Sequence, residues 1–318
     1  MGKLVRIGTR ESQLAIWQAT EVMNLLAHHQ IQAELIFIKS EGDIDLQTPL
    51  YEMGVQGIFT KSLDIALLNN RIDIAVHSLK DVPTQLPNGV KQAAILKRGN
   101  SKDLLVYKGE WQSVNDELAM VNSKKKMSNS SFTVATSSIR RKAQWLHRYP
   151  EHRIENLRGN INSRLQKLTQ NNWNGAIFAA AGLERIDLRP TNAIELDWML
   201  PAPAQGAIMV ACRENDFQMY DDCQYLHDES TAYCTKIERE FLRALLGGCS
   251  TPIAALAEIE KNQVYFRGNI LTPDGTQIAD IEKKLPLEKA ANLGKLAAEE
   301  LLHNGGKKII DQFHHAEK

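Results

Sequence analysis

The chain has 318 residues, enough to bury a substantial core and to divide into two or three domains. Its 38 basic and 38 acidic side chains cancel, so no global field favours nucleic acid or a membrane surface, and any anion must be held by locally placed cations. No stretch approaches the roughly 18 consecutive apolar residues of a membrane span, and Met1 to Leu4 enter a strand pattern without an apolar leader, which predicts a cytoplasmic protein.

Leu4 to Gly8 reads as a strand, followed by Arg10 and Ser12 and an amphipathic helix marked by Leu14, Trp17, Val22 and Leu26. Thr9 or Ser12 can cap that helix, and its free N–H groups beside Arg10 suit an anion, although a plain cap with a surface arginine satisfies the same pattern. Leu35 to Ile38 is a second strand. Residues 40–60, rich in charge and glycine, are a candidate lid. A helix from about Phe59 to Asn69 carries Lys61 near its start, where a cation opposes the helix dipole. Ile72 to Val76 then delivers Ser78, Lys80, Asp81 and Pro83 to the C-terminal end of a buried strand, the usual place for an α/β site. A solvated Lys–Asp pair is the plainer alternative. Gly89 to Leu96 and Asp103 to Tyr107 are further strands, with the charged turn Lys97 to Lys102 between them as a hinge. Residues 109–131 read as a polar helix and an exposed loop. The lysines at 124–126 lack the neighbouring aromatics of a nucleic-acid surface.

Phe132 to Ala135 is followed by Thr136, Ser137, Ser138, Arg140 and Arg141 at the opening of a helix. This repeats the strand, hydroxyl, arginine, helix order of residues 4–17 and predicts two similar α/β units facing each other across a cleft. Hydroxyls and a helix start beside two arginines form an anion pocket. Ile154 to Leu157 leads into Arg158, Gly159 and Arg164, and the small-residue run from Ala176 to Leu183 brings up Arg185. Trp198 to Gln205 is a proline-stiffened crossing, and Ala207 to Cys212 is a strand able to return to the first unit. From about Asp221 the character changes: a helix over Ser230–Leu246, ended by Gly247 and Gly248, then strands at Ile253–Ile259, Gln263–Leu271 and Gln277–Ile281 around a Pro273-Asp274-Gly275 turn. A last helix is predicted from about Leu287 to Leu302, with residues 304–318 fraying. Four cysteines, at 212, 223, 234 and 249, are too few and too widely spaced for a disulfide scaffold or a structural zinc site, so no metal is expected. Cys249, presented by a turn, is the candidate reactive thiol.

Taken in order, these polar stretches resemble the porphobilinogen deaminase (hydroxymethylbilane synthase) family: GTRESQLA, GIFTKSLDIALL, DIAVHSLKDVPT, TSSIRRKAQ, NLRGNINSRLQKL, AAAGLERI, PAPAQGAI, and Glu238 to Ile253 with its GGCSTPI ending. They span residues 8 to 253, about three-quarters of the chain. The resemblance implies two similar α/β lobes like type II periplasmic binding proteins, plus a small α+β C-terminal domain. The implied boundaries are 1–101 with 206–223, 102–205, and 224–318. It implies head-to-tail condensation of four porphobilinogen molecules with loss of four ammonia, then hydrolysis to 1-hydroxymethylbilane. It further implies a dipyrromethane cofactor joined by a thioether to Cys249, and Asp81 as the catalytic carboxylate. Arg10, Ser12, Lys61, Ser78, Lys80, Thr136, Ser137, Ser138, Arg140, Arg141, Arg158, Arg164, Arg185 and Gln205 are implied to line the site and to hold the acetate and propionate groups. The family pattern also implies a monomer that hands its product to uroporphyrinogen-III synthase, with no nucleic-acid or membrane partner.

The chemistry asks for this inventory, because each pyrrole ring brings two carboxylates and bidentate guanidiniums suit them. Two positions depart from the pattern: Gln56 stands where the family often has lysine, and Ala204 where glycine is usual, tolerable if its backbone angles are ordinary. Residues 122–131 look like a surface insertion. A solute-binding protein would share the arginine-lined cleft but have an export signal and no use for Cys249. A nucleic-acid binder would use the arginines for phosphates, with steep salt dependence.

Overall fold

The computed structural model describes residues 4–39, 60–110, 114, 118, 132–245 and 251–316. The anticipated lid, most of the 109–131 stretch, Gln56, Gly247, Gly248 and Cys249 lie outside the described residues.

Two five-stranded sheets share one topology. In the first, β1 (Val5–Thr9), β2 (Ala33–Phe37), β3 (Ile74–Ser78), β4 (Val90–Ile95) and β10 (Ile208–Arg213) stand in the order β2-β1-β3-β10-β4. In the second, β5 (Asp103–Tyr107), β6 (Thr133–Ala135), β7 (Arg153–Glu155), β8 (Gly175–Ala179) and β9 (Ala193–Glu195) stand in the order β7-β6-β8-β5-β9. The first three strands of each are parallel, and the fourth runs antiparallel to both its neighbours. That fourth strand arrives from the other lobe: β5 crosses into the second sheet and β10 returns to the first. The two α/β units expected from the repeat are therefore present, laced together by two crossovers. At the crossing Gly99 N–H donates to the Gly206 carbonyl at 3.0 Å, and a Cβ at Gly206 would stand 2.8 Å from the Gly99 oxygen. Only glycine admits that approach.

The parallel strands read as apolar runs because helices cover them. Helix α1 (Gln13–His28) starts at Ser12, whose side chain accepts from Ala15 N, and buries Ala19, Val22 and Leu26 with Ile7 and Ile74 nearby in the sheet. This settles the cap in favour of Ser12. In the second lobe α3 (Ile139–Arg148) starts at Ser138, which accepts from Arg141 N, and α4 (Ile161–Gln170) starts at Asn160. Helix α2 (Lys61–Leu68) covers the first sheet, and α5 (Ala180–Arg185) continues directly from β8, splitting the small-residue run into strand and helix. Helix α6 (Phe217–Gln224), unforeseen in the sequence, begins at its Asp216 cap and buries Met219 and Cys223 in the core of the first lobe.

The remaining residues build a third unit. Strands β11 (Ile253–Glu260), β12 (Gln263–Leu271) and β13 (Ile278–Pro286) form an antiparallel sheet, the last running five residues further than expected. Helix α7 (Glu229–Ala244) lays Cys234, Ile237 and Phe241 on it, with Phe241 edge-on to Phe266 at 5.1 Å. Helix α8 (Leu293–Leu301) packs beside α7. The expected fraying after residue 304 is corrected: Gly305 takes φ 106° and the chain re-enters a helix, α9 (Lys307–Ala316). Ile309 is buried in the core, and burying such a side chain contributes about 1.5–3 kcal/mol, enough to hold the segment. A second correction concerns Ala204, whose φ is 64°. Its angles are not ordinary, so the position holds an L-residue in the left-handed region at a cost of about 1–2 kcal/mol.

Candidate active site

The β3 strand ends at Ser78, and a 3₁₀ turn over Leu79–Asp81 presents Lys80 and Asp81. Leu79 and Val82 are buried on either side and fix the turn to the core. Beside Asp81 lies a small cavity lined by Arg10, Gln18, Thr60, His77 and Ser78. Ser78 and Gln18 exchange hydrogen bonds at 2.9 and 3.2 Å. His77 is buried, and burial together with Arg10 pushes its pKa down to about 4, so it is neutral. Lys61 is exposed at the start of α2, next to Thr60.

From the second lobe, the first turn of α3 contributes Arg140 and Arg141, both buried. They converge on Asp103, the first residue of β5. Arg141 Nε and Nη2 reach its Oδ1 at 3.0 and 2.7 Å, and Arg140 Nη2 reaches Oδ2 at 2.8 Å. Gln205 Nε2 donates to the same carboxylate at 2.9 Å, and its Oε1 accepts from Lys80 Nζ at 3.4 Å. Burial alone would raise the Asp103 pKa, but Arg140, Arg141, Gln205 and Lys80 outweigh it and hold it at about 2. Lys80 is pushed down to about 8, by burial first and also by Arg141 and Arg140, against the pull of Asp81 and Asp103. Arg164, on α4, is lowered to about 10 by burial and then by Arg141 and Arg158, with Asp81 opposing. Asp81 and Lys80 of the first lobe thus share one electrostatic neighbourhood with Arg140, Arg141, Arg158 and Arg164 of the second. The Nε–H groups of Arg140 and Arg164 are buried with no hydrogen-bond partner among the described residues.

The hydroxyls serve the loops that carry these cations. Thr136 Oγ1 accepts from Ser138 N, and Ser137 accepts from Leu157 N at 2.9 Å while donating to Asn156. That pairing ties the α3 start to the loop bearing buried Arg158. Gly159, at φ 112°, turns the chain into α4. Ser12 caps α1 beside Arg10. Arg185 is directed elsewhere: it donates to the Gly206 carbonyl at 2.6 Å and lies over the Trp17 ring at 5.6 Å, joining α5 to α1 and the crossover.

Two family models match the chain: "Porphobilinogen deaminase, dipyromethane cofactor binding domain" over residues 5–221 and "Porphobilinogen deaminase, C-terminal domain" over residues 232–303. The chain belongs to the porphobilinogen deaminase family. It is 38% identical to the porphobilinogen deaminase of Maridesulfovibrio salexigens, over 98% of each chain. It is 40% identical to the chloroplastic porphobilinogen deaminase of Pisum sativum, over 95% of this chain and 82% of that one. Among solved structures, the VFT2 domain of Bordetella pertussis BvgS aligns with a TM-score of 0.41 and 11% identity, over 72% of this chain and 89% of that one. No helix among the described residues is long and apolar enough to cross a membrane.

Within this porphobilinogen deaminase architecture, sequence reasoning missed Asp103, Gln18 and Glu238. A charged residue opening the otherwise apolar DLLVY strand was the available signal for Asp103. Glu238, fully buried on α7, accepts from Arg98 Nη1 and Nη2 at 2.6 and 3.1 Å, from Ala204 N at 2.6 Å and from Ala257 N at 2.8 Å. It joins the hinge, the crossing segment and the third unit at one carboxylate, and the strained Ala204 is held in this way.

Proposed function

We propose that this chain is a hydroxymethylbilane synthase that condenses four porphobilinogen molecules head to tail, releases four ammonia and hydrolyses the product to 1-hydroxymethylbilane. The observation that carries the reading is the inter-lobe cluster of Lys80, Arg140, Arg141, Arg158 and Arg164 around Asp81. Asp81 and Asp103 offset it only in part, and two buried guanidinium N–H groups stand without partners among the described residues. Such a cluster fits a ligand rich in carboxylates, as a dipyrromethane and the growing chain are. Arg10, Lys80, Arg140, Arg141, Arg158 and Arg164 hold those carboxylates. Ser12, Ser78, Thr136, Ser137, Ser138 and Gln205 orient the loops and add hydrogen bonds, with Lys61 and Arg185 at the margins. Cys249 would hold a dipyrromethane through a thioether, and that group would supply the first nucleophilic pyrrole.

Asp81 sits where charge develops. Loss of ammonia from porphobilinogen leaves a cationic azafulvene, and a fixed carboxylate stabilises that charge and accepts the proton lost after the carbon–carbon bond forms. His77, neutral in the same cavity, adds no second cation there beside Arg10. The working domains are 1–101 with 206–223, 102–205 and 224–318, in a cytoplasmic monomer passing its product to uroporphyrinogen-III synthase.

Intact mass of the denatured protein beside its Cys249→Ser variant tests the reading. Two ammonia-stripped porphobilinogen units add roughly 0.4 kDa and survive denaturation only as a covalent adduct. Wild-type protein that remains bare after incubation with porphobilinogen refutes the assignment.

A further inference from the structure

Next to Glu238 on α7 lies Arg239, which no ligand-binding role has claimed. Its guanidinium reaches out of the third unit to the turn that carries Asp81. Nη1 donates to the Val82 carbonyl at 2.9 Å and to the Leu79 carbonyl at 3.3 Å, and Nη2 donates to the Pro83 carbonyl at 2.6 Å. The three acceptors flank Asp81 in sequence on both sides. Besides the core packing of Leu79 and Val82 and the Lys80–Gln205 contact, the turn's backbone is tied by Leu79 N donating to the Ala207 carbonyl at 3.0 Å and Val82 N closing back on Leu79 O at 3.1 Å. One planar, five-donor fork therefore gathers carbonyls that a lysine, with its single flexible ammonium, cannot span together.

The same helix leads to the anchor cysteine, since Cys249 follows Ala244, its last residue, by five positions. The helix that grips the Asp81 turn is thus joined in sequence, over five positions, to the proposed attachment cysteine. Glu238, one residue earlier, fixes that helix to the hinge. We propose that Arg239 is a positioning residue: it holds the Asp81 carboxylate in register with the cofactor-bearing unit. This rests on the reading of Asp81 as the reacting carboxylate. Misplacing a reacting group by about 1 Å costs on the order of 100-fold in rate, so removing the fork lowers kcat by about 10- to 100-fold. Substrate contacts are untouched, and KM stays within about 3-fold.

The test compares Arg239→Gln and Arg239→Lys with wild type and with Asp81→Ala. For each, thermal midpoint, cofactor adduct by intact mass, kcat and KM for porphobilinogen, and hydrogen exchange of the peptide covering residues 79–83 are measured. The expected result is a folded, cofactor-loaded Gln variant with reduced kcat, nearly unchanged KM and faster exchange confined to that peptide. The Lys variant, which keeps a charged donor, is intermediate. Turnover within 2-fold of wild type in the Gln variant overturns the proposal. So does a loss that only tracks lost cofactor or lost folded protein, since a purely structural arginine gives that. If the Gln variant does not fold, the Lys variant decides by the same criteria. Normal turnover in Asp81→Ala removes the premise about Asp81, whereas a dead Asp81→Ala beside an unaffected Arg239→Gln removes only the positioning role.

Discussion

Replacing Glu238 by Gln is the sharpest test of how the three units are held together. All four contacts to Glu238 come from donors. Arg98 Nη1 and Ala257 N meet Oε1, and Arg98 Nη2 and Ala204 N meet Oε2. A glutamine of the same shape keeps one acceptor oxygen, and its NH₂ must face donors whichever way it flips. Two hydrogen bonds are lost, one buried backbone N–H is left unsatisfied, and Arg98 loses its countercharge. Removing one partner of a buried pair costs about 3–5 kcal/mol, and an orphaned buried donor alone costs about 1–3 kcal/mol within that. At about 2 °C per kcal/mol for a chain of this size, the thermal midpoint falls by roughly 6–10 °C. Thermal unfolding followed by tryptophan fluorescence and circular dichroism at matched cofactor occupancy measures it. A midpoint within 1 °C of wild type refutes the claim that this carboxylate joins the units.

Two further outcomes concern charge at the cleft. Lys80, with a pKa near 8, is a cation below that pH, so KM for porphobilinogen rises as pH passes upward through about 8, and Lys80→Met loses that inflection. Because its folded pKa lies below the unfolded 10.5, burying the charged form opposes folding, and that penalty is relieved as pH rises from about 8 to 10.5. Asp103, whose pKa is also lowered, stabilises rather than penalises: its folded pKa of about 2 lies below 3.8, so its contribution is complete above 3.8 and is lost as pH falls toward 2. The shift corresponds to about 2–3 kcal/mol, and urea midpoints at pH 7 and pH 3 for wild type and Asp103→Asn should show a smaller acid loss in the variant.

Much of this architecture was legible because its determinants are local. Ser12 and Ser138 announce helix starts, the apolar runs at Ile74–Val76 and Ala207–Cys212 announce covered strands, and their repetition announces two lobes. The C-terminal helix was misread because Asn304, Gly305 and Gly306 look like an ending, whereas the burial that restarts the helix comes from a distant core. The site residues that escaped share one cause. Asp103 meets Arg141 across 38 positions and Glu238 meets Arg98 across 140, and a lone buried charge shows in a sequence only as a polar letter among apolar ones.

The zero formal charge of the chain sharpens the meaning of the cleft. Many cations are spent in exposed or half-exposed pairs, such as Lys102 with Glu195 and Asp197, Lys283 with Glu300, and Arg189 with Glu184, which screen one another and contribute little. Those of the cleft are buried and crowd one another, as the lowered pKa values of Arg140 and Arg164 show. Crowding like charges in a low-dielectric site costs stability, and Asp103 relieves it by pairing with both Arg140 and Arg141. Their Asp103-facing edges are satisfied, while the Arg140 Nε–H stays without a partner among the described residues. On the proposed reading, an anionic ligand meets guanidiniums already fixed in place, so little ordering entropy remains to be lost on binding. On that reading, recognition of a polycarboxylate needs no net positive protein, only buried arginines held ready by one internal carboxylate.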